Sequence, residues 1–371
     1  MSYSGKRPSQ SYGWQGAYQI RFRWNTFEEP GLQNFFHILD LFVAINQTGK
    51  AVLADFFPIL RALPAWLSPA KRQAIEHHKM EKDIYKGHWM KAKHKILNKE
   101  LSASSCIVGD LMQMQAEEGF SDDFAAYLTG AYLEAGSDTT SSELYAFAQA
   151  MLLYPEAQRK AQAELDAVVG EDRYPDLDDM QNLPYLRACI KETLRWMPTA
   201  PLGAVPHATT EDDYYEGYFI PRHTSVVLNT WAIHRDPERY PDPERFLPER
   251  YLGDDTNAAD SAGQSDVTKR DHSGFGAGRR ICLGTHVAER SMFLAMSRTL
   301  WALEFRPPKD ANGRDILPKQ DDFEQGLVVL PKVFGADVQV RSEKRARLVK
   351  QEWERAKQGL DGEGQYLVNP I

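Results

Sequence analysis

The segment FGAGRRICLG, residues 275–284, combines three glycines, two arginines and one cysteine directly before an apolar segment that predicts a helix from about Leu283 to Leu303. Glycines let a backbone approach a flat group closely, and arginines neutralise anions. Cys282 lies near the N-terminus of this helix beside two cations, which favours its thiolate. A thiolate there can be a nucleophile, a redox sensor or a metal ligand. His286, four residues on, keeps open the reading as a nucleophile with an imidazole base.

The composition around this segment is that of an ordinary globular protein. The 371 residues are 42% hydrophobic and 26% charged, which excludes a disordered or collagen-like chain. A net charge of −8 argues against a nucleic-acid partner. Three cysteines are too few for a disulfide framework. The polar residues 1–25 contain no apolar targeting core, and Ile38–Ile45 is too short to cross a bilayer, so we expect this chain as given to be cytosolic or peripheral.

The spacing of apolar residues predicts a mainly α fold with a small β portion in a single domain, residues 1–371, of which 341–371 form a charged C-terminal tail. Proline and glycine mark most boundaries, because proline begins or stops a helix and glycine ends one. Helices are predicted in proline-broken form over 30–100, then over 121–153, 155–169, 184–197, 283–303 and 341–358, and short strands over 214–217, 218–220 and 225–228. The polar segment 253–273 is predicted to be a structureless loop.

The pattern Phe275-x-x-Gly278-x-Arg280-x-Cys282-x-Gly284 resembles the cysteine-loop signature of cytochromes P450. The resemblance implies the fold of that family and makes the Cys282 thiolate the axial ligand of the iron of haem b. Leu283 stands where the family usually has proline or a small residue.

Three further motifs follow the order of the family. Glu192 and Arg195, in ETLR, match its E-x-x-R, and a spacing of three residues puts both side chains on one helix face. The resemblance adds Arg245, from PERF at 243–246, as the third member of a structural Glu–Arg–Arg network. AGSDTT at 135–140 resembles the oxygen-activation motif of the central helix, which implies that Thr139 and Asp138 supply protons.

The resemblance also assigns cofactor and substrate contacts. Arg280 and His207 stand at family positions that bind haem propionates, whereas the Trp231–Arg235 pair comes too late in the chain to be the family's tryptophan–arginine element. The substrate pocket is implied to include residues of the central helix and of the stretches 200–205 and 326–328; the named members are Tyr132, Ala135, Leu202 and Leu327.

The implied function is a haem-thiolate monooxygenase that uses O2 and electrons from NADPH, delivered by NADPH–cytochrome P450 reductase, to oxidise a small hydrophobic molecule. The sequences of residues 206–221 and 229–252 resemble those of fungal family members of secondary metabolism, which are anchored on the endoplasmic reticulum. Two alternatives stay open: an isomerase or dehydratase of the same fold that needs no external electrons, and a non-catalytic remnant. MSYSGKRP resembles the continuation of a family segment, so we expect a truncated chain without the N-terminal anchor, early sheet and early helices, and with weak haem retention.

Overall fold

A computed structural model of the protein describes residues 30–45, 57–101, 106–324 and 326–359. In these ranges the chain forms ten α-helices, connected by loops and short 3-10 turns. The helices are α1 Pro30–Ile45, α2 Pro69–Leu97, α3 Ile107–Glu118, α4 Asp122–Leu153, α5 Pro155–Val168, α6 Pro184–Trp196, α7 Thr230–His234, α8 Ala258–Gly263, α9 Thr285–Ala302 and α10 Glu343–Gln358.

The strands of the described residues are short and pair as four antiparallel two-stranded sheets. They are β1 His207–Ala208, β2 Asp213–Tyr215, β3 Tyr218–Ile220, β4 Ser225–Val226, β5 Leu303–Arg306, β6 Phe323–Glu324, β7 Leu330–Pro331 and β8 Asp337–Val340. The pairs are β1 with β4, β2 with β3, β5 with β8 and β6 with β7. The mainly helical fold predicted from the sequence is therefore confirmed.

The described residues divide into two compact units. One unit is Thr139–Gln351, and the other contains the described parts of 30–138 together with 352–359. Helix α4 contributes its first half to the second unit and its second half to the first. The prediction of a single domain stays a prediction.

The core of the unit Thr139–Gln351 is built around α6, whose residues from Tyr185 to Trp196 are all buried. Pro184 occupies the first turn of α6, where its missing N–H costs nothing. The Glu164 carboxylate of α5 accepts the backbone N–H groups of Tyr185 and Leu186 at 2.8 and 3.0 Å. These bonds satisfy two donors that a helix start otherwise leaves unpaired. Helix α6 thus begins at a fixed point, packed between α5 and α9.

The second unit has its own apolar core, formed by α1, α2, α3 and the first half of α4. Phe35, Ile38 and Trp89 are fully buried in it. Gly130 of α4 allows a close approach, because an added Cβ would lie 2.3 Å from the ring of Tyr85. One histidine of the histidine- and lysine-rich helix α2 belongs to this core. His77 is buried, and its ring hydrogen-bonds the carbonyl of Ile38 at 3.0 Å.

Most element boundaries agree with the sequence-based expectation. The segment 253–273 does not, because it was predicted to be a structureless loop and contains helical structure. Residues 258–263 form α8, and a 3-10 turn follows at Val267–Lys269. Side chains cap both elements, because Asn257 accepts from the N–H of Asp260 and Asp266 accepts from that of Thr268. The polar residues that suggested a loop are therefore helix caps. No helix among the described residues has the length and apolar character needed to cross a bilayer.

Candidate functional site

The loop that carries Cys282 is folded back on itself. Gly276 and Gly278 have φ angles of 76° and 64°, a region that side chains disfavour, and they turn the chain into a short 3-10 segment. The N–H of Cys282 then donates to the carbonyl of Phe275 at 2.9 Å and closes the loop. Phe275 anchors the loop by packing against the apolar core. The glycines predicted from the signature thus shape a loop that ends directly at the cysteine.

The Cys282 side chain is a free, exposed thiol three residues before the start of α9. Thr285 donates its hydroxyl to the carbonyl of Cys282 at 2.8 Å, which fixes the cysteine against the first turn of the helix. An added Cβ at Gly284 would lie 3.7 Å from the sulfur, which is an ordinary van der Waals contact, so position 284 lies directly beside the thiol. The exposed guanidinium groups of Arg279 and Arg280 add positive charge nearby. One accessible thiol on a glycine-lined loop fits a haem, which needs a single protein sulfur ligand and an open flat face.

Behind the loop, the predicted Glu192–Arg195 pair forms a bidentate ion pair. Nε and Nη2 of Arg195 each lie 2.7 Å from a carboxylate oxygen of Glu192, and both side chains are 0% exposed. Arg195 also donates to three backbone carbonyls, those of His234, Pro243 and Arg245. A buried charge pair is tolerated when its remaining donors are satisfied in this way. The pair is therefore a structural junction inside the core.

The third member of this network differs from the prediction. The side chain of Arg245 is exposed, and only its backbone carbonyl joins the network. Arg250 takes the expected place, with Nε 3.4 Å from Glu192 Oε1. The sequence contains three Pro-Glu-Arg tripeptides, at 237–239, 243–245 and 248–250, and the third begins the 3-10 turn Pro248–Tyr251 that packs on α6. Packing of that turn directs Arg250 inward, so the prediction of Arg245 as the third side chain of the network is wrong.

His234 is a functional link that the sequence reasoning missed. Its buried ring donates through Nδ1 to the carbonyl of Arg195 at 2.9 Å and accepts the N–H of Ser273 at Nε2 at 2.8 Å. Burial lowers the pKa of His234 well below its usual value, and neighbouring His272 lowers it further. The neutral ring therefore joins the E-x-x-R helix to the loop that leads to Cys282. The motif NTWAIHRDP contains the histidine, but nothing in its spacing indicated this role.

His272 is a second buried imidazole behind the same loop. Burial lowers its pKa to about 3, with smaller contributions from Lys191 and Arg239. Its Nδ1 accepts the N–H of Gly274 at 3.2 Å, and its ring lies 5.4 Å from that of Phe275. Both histidines behind the cysteine loop are thus neutral near pH 7 and act as hydrogen-bonding supports.

Helix α4 carries the predicted oxygen-activation motif without a break in its helical structure. Ser137 donates its hydroxyl to the carbonyl of Leu133, the back-bonding expected of a hydroxyl inside a helix. Asp138 is buried and Thr139 half-buried, whereas Ala135 is exposed and Tyr132 half-buried. Their roles in proton supply and substrate contact stay predictions.

The remaining residues predicted to contact haem or substrate are exposed or half-buried. His207 is exposed on β1, where it pairs with Val226, and Leu202 is exposed while Leu327 is half-buried. One backbone bond joins the two predicted substrate stretches at their ends, since the N–H of Val329 donates to the carbonyl of Thr199 at 2.9 Å.

The rejected Trp231–Arg235 pair is engaged inside the protein. The guanidinium of Arg235 lies 3.1 Å from the centre of the Trp231 ring, 3.3 Å from the carboxylate of Glu244 and 3.2 Å from the carbonyl of Trp196. These contacts hold the guanidinium against Trp231, Glu244 and the end of α6. No group of three or more His, Cys, Asp or Glu side chains in the described part of the chain is arranged to hold a metal ion.

Comparison with known proteins agrees with this site. The family described as Cytochrome P450 matches residues 17–335. Cytochrome P450 monooxygenase virE of Hypocrea virens is 46% identical over 94% of this chain and 63% of its own length. Cytochrome P450 monooxygenase fogE of Aspergillus ruber is 43% identical over 94% of this chain and 64% of its own length. A zebra fish cytochrome P450 solved with progesterone superposes with a TM-score of 0.67 at 26% identity, covering 88% of this chain and 68% of that one.

The fold is helical, and it presents one cysteine thiol on a glycine-rich loop beside a core that contains a buried Glu–Arg pair. These features together define a haem-thiolate type of protein. The chain belongs to the cytochrome P450 family. It spans less than two thirds of the length of the fungal relatives that it matches.

Proposed function

We propose that this chain is the haem-binding part of a fungal monooxygenase that acts on a small hydrophobic molecule of secondary metabolism. One atom of O2 enters the substrate, the other leaves as water, and NADPH supplies the two electrons through NADPH–cytochrome P450 reductase. The exposed Cys282 thiol at the end of the glycine loop carries this proposal. The relatives named as monooxygenases support the reaction class. By the same resemblance, the full-length protein works at the endoplasmic reticulum membrane.

The residues of the loop divide the work of holding the cofactor. Cys282 would be the iron ligand, Gly278 allows the loop to turn through its positive φ, and Gly284 places no side chain beside the sulfur. Arg280 and His207 are the proposed partners of the propionates, since both are exposed and able to turn toward an anion. When bound, haem supplies the redox chemistry of O2.

The polar residues of α4 serve proton delivery. Thr139 carries a hydroxyl that can pass protons, and Asp138, the preceding residue, is the proposed acid that feeds it. Tyr132, Ala135, Leu202 and Leu327 are the proposed substrate contacts. An isomerase or dehydratase would not need this proton path, so the Asp138–Thr139 pair favours the monooxygenase.

The test is NADPH-dependent turnover of the haem-loaded protein with a reductase. The first measurement is the difference spectrum of the reduced protein with carbon monoxide, which reports a thiolate ligand. The second is consumption of NADPH with incorporation of one labelled oxygen atom from O2 into product. Product formation without NADPH and without O2 incorporation would replace the proposal by the isomerase or dehydratase.

A further inference from the structure

Glu143 is a buried acid that the proposed function does not use. It lies one helical turn after Thr139 on α4, and it is 5% exposed. Its Oε1 accepts the backbone N–H of Thr199 at 2.9 Å. Its Oε2 has no hydrogen-bond partner among the described residues. Burying a polar atom without a hydrogen-bond partner costs free energy of folding, so this carboxyl group destabilises the fold unless its other oxygen contributes a useful contact.

The surroundings of Glu143 favour its neutral form. Burial raises the pKa of Glu143 to about 8, and the hydrogen bonds from Thr199 lower it by less. No charge of a Lys, Arg or His among the described residues contributes to the pKa of this carboxyl group. Near pH 7 it is therefore mainly a carboxylic acid that accepts one backbone hydrogen bond.

Thr199 connects this bond to both proposed substrate stretches. It directly precedes residues 200–205, and its carbonyl accepts the N–H of Val329, which directly follows residues 326–328. The first stretch is conformationally strained at Ala204, a non-glycine residue with a φ angle of 63°. A non-glycine residue with such a φ persists only when the surrounding structure holds it. The Glu143–Thr199 bond supplies one such constraint where the stretch begins.

The next turns of α4 hold the chain beyond the second stretch. The ring of Tyr145 stacks on that of Phe334 with 4.5 Å between centres, and its hydroxyl accepts the N–H of Phe334 at 3.1 Å. The amide of Gln149 donates to the carbonyl of Lys319 at 2.9 Å. The second half of α4 is therefore a scaffold on which the late segment of the chain is mounted, and Glu143 is its contact with Thr199.

We propose that Glu143 is a positioning residue that sets the shape of the substrate pocket by fixing Thr199, and through it the stretches 200–205 and 326–328. This inference rests on the proposed function, since that function makes the two stretches pocket walls. Glu143 itself is only 5% exposed, so its proposed action on the pocket is indirect. Its effect reaches the substrate through the backbone of Thr199 and Val329.

The variants separate the hydrogen bond from the charge. Glu143→Gln keeps an oxygen acceptor at the same reach and cannot ionise. Glu143→Met keeps the length and removes the acceptor, and Glu143→Asp keeps the acid but withdraws it by one methylene. Glu164→Gln and Glu164→Met are matched controls, because Glu164 also accepts backbone N–H groups but at the start of α6.

The experiment uses the haem-loaded chain and two probes, imidazole and 4-phenylimidazole. Imidazole reports access to the iron, whereas the phenyl group also contacts the pocket wall. We expect Glu143→Met and Glu143→Asp to weaken 4-phenylimidazole about tenfold with imidazole unchanged, the effect of losing one buried hydrogen bond. Glu143→Gln should restore the wild-type ratio, and both Glu164 variants should keep it. Amide hydrogen exchange at Thr199 and Val329 should accelerate in Glu143→Met and not in Glu143→Gln.

Two results would overturn the inference. One is an unchanged ratio of the two affinities in Glu143→Met together with unchanged amide exchange at Thr199 in that variant. The other is an equal loss of affinity for both probes, which marks a general structural defect. A wild-type protein that binds haem without a thiolate-type carbon monoxide spectrum would instead refute the proposed function, while the exchange measurement would still decide the role of Glu143.

Discussion

The ring of His234 accepts the backbone N–H of Ser273 at 2.8 Å and so connects two parts of the sequence that lie 39 residues apart. Because the other ring nitrogen donates to the carbonyl of Arg195, the same imidazole couples the buried Glu192–Arg195 pair to the loop before Cys282. The position of the thiol therefore depends on groups outside the cysteine loop. This coupling underlies two of the expectations below.

Replacing Cys282 with serine should abolish the thiolate-type carbon monoxide spectrum, because a hydroxyl does not provide a thiolate ligand. Cys106→Ser is the matched control, since Cys106 is a partly buried free cysteine in the other unit. We expect that variant to keep the spectrum. Persistence of the spectrum in Cys282→Ser would disprove the ligand assignment.

Arg245 and Arg250, each the last residue of a Pro-Glu-Arg tripeptide, should differ in their effect on stability. Arg250→Ala removes a cation from the fully buried Glu192 carboxylate, and we expect a loss of about 2 kcal/mol in the free energy of unfolding. Arg245→Ala removes an exposed side chain and should cost no more than about 0.5 kcal/mol. Denaturant titration measures both. Equal losses of unfolding free energy in the two variants would mean that the Arg245 side chain also stabilises the buried Glu192–Arg195 pair.

Acid should destabilise the protein through its buried histidines. The pKa of His272 is lowered to about 3 in the folded chain, against about 6.5 when unfolded. Its contribution to stability is therefore complete above pH 6.5 and is lost as the pH falls toward 3. Between pH 7 and pH 5 the loss is about 2 kcal/mol from His272 alone. The pKa of His234 is lowered in the same direction, so its contribution has the same sign.

The measurement is the free energy of unfolding at several pH values in that window. His272→Gln keeps an acceptor for Gly274 but does not titrate, and its curve should be flatter. His286→Gln changes an exposed histidine and should leave the slope of the wild type. A slope unaffected by His272→Gln would mean that other groups cause the acid sensitivity.

Thr139→Ala should leave haem content intact and divert electrons from product to peroxide, because the hydroxyl is proposed to deliver protons and makes no bond to iron. We expect product per NADPH to fall by roughly tenfold. Thr140→Ala removes the neighbouring hydroxyl, about 100° around the helix, and serves as the control. Unchanged coupling in Thr139→Ala would exclude the residue from the proton path.

The parts of the fold that follow local rules could be predicted from the sequence. Pro155 and Pro184 begin helices where expected, and Ser121 caps α4 by accepting the N–H of Phe124. The cysteine loop could be found because glycine, cation and thiol positions are tied to backbone geometry over only ten residues. Such features need no knowledge of distant contacts.

The features that the sequence could not supply depend on tertiary packing. Arg245 and Arg250 have the same local context, and only the packing of the turn Pro248–Tyr251 on α6 directs one of them inward. His234 and Glu143 gain their roles from partners 39 and 56 residues away. No periodicity or spacing encodes such pairings.

The separation of partners along the chain also has a consequence for how this core assembles. Glu192 and Arg195 are three residues apart on one helix, so they can neutralise each other as soon as α6 forms. Arg250 is 58 residues from Glu192, and His234 is 39 residues from Arg195. The charged pair can thus enter the collapsing interior as a preformed neutral unit, and the slower closure of the long loops adds the other partners around it. We therefore expect the Glu192–Arg195 pair to form before its contacts with Arg250 and His234.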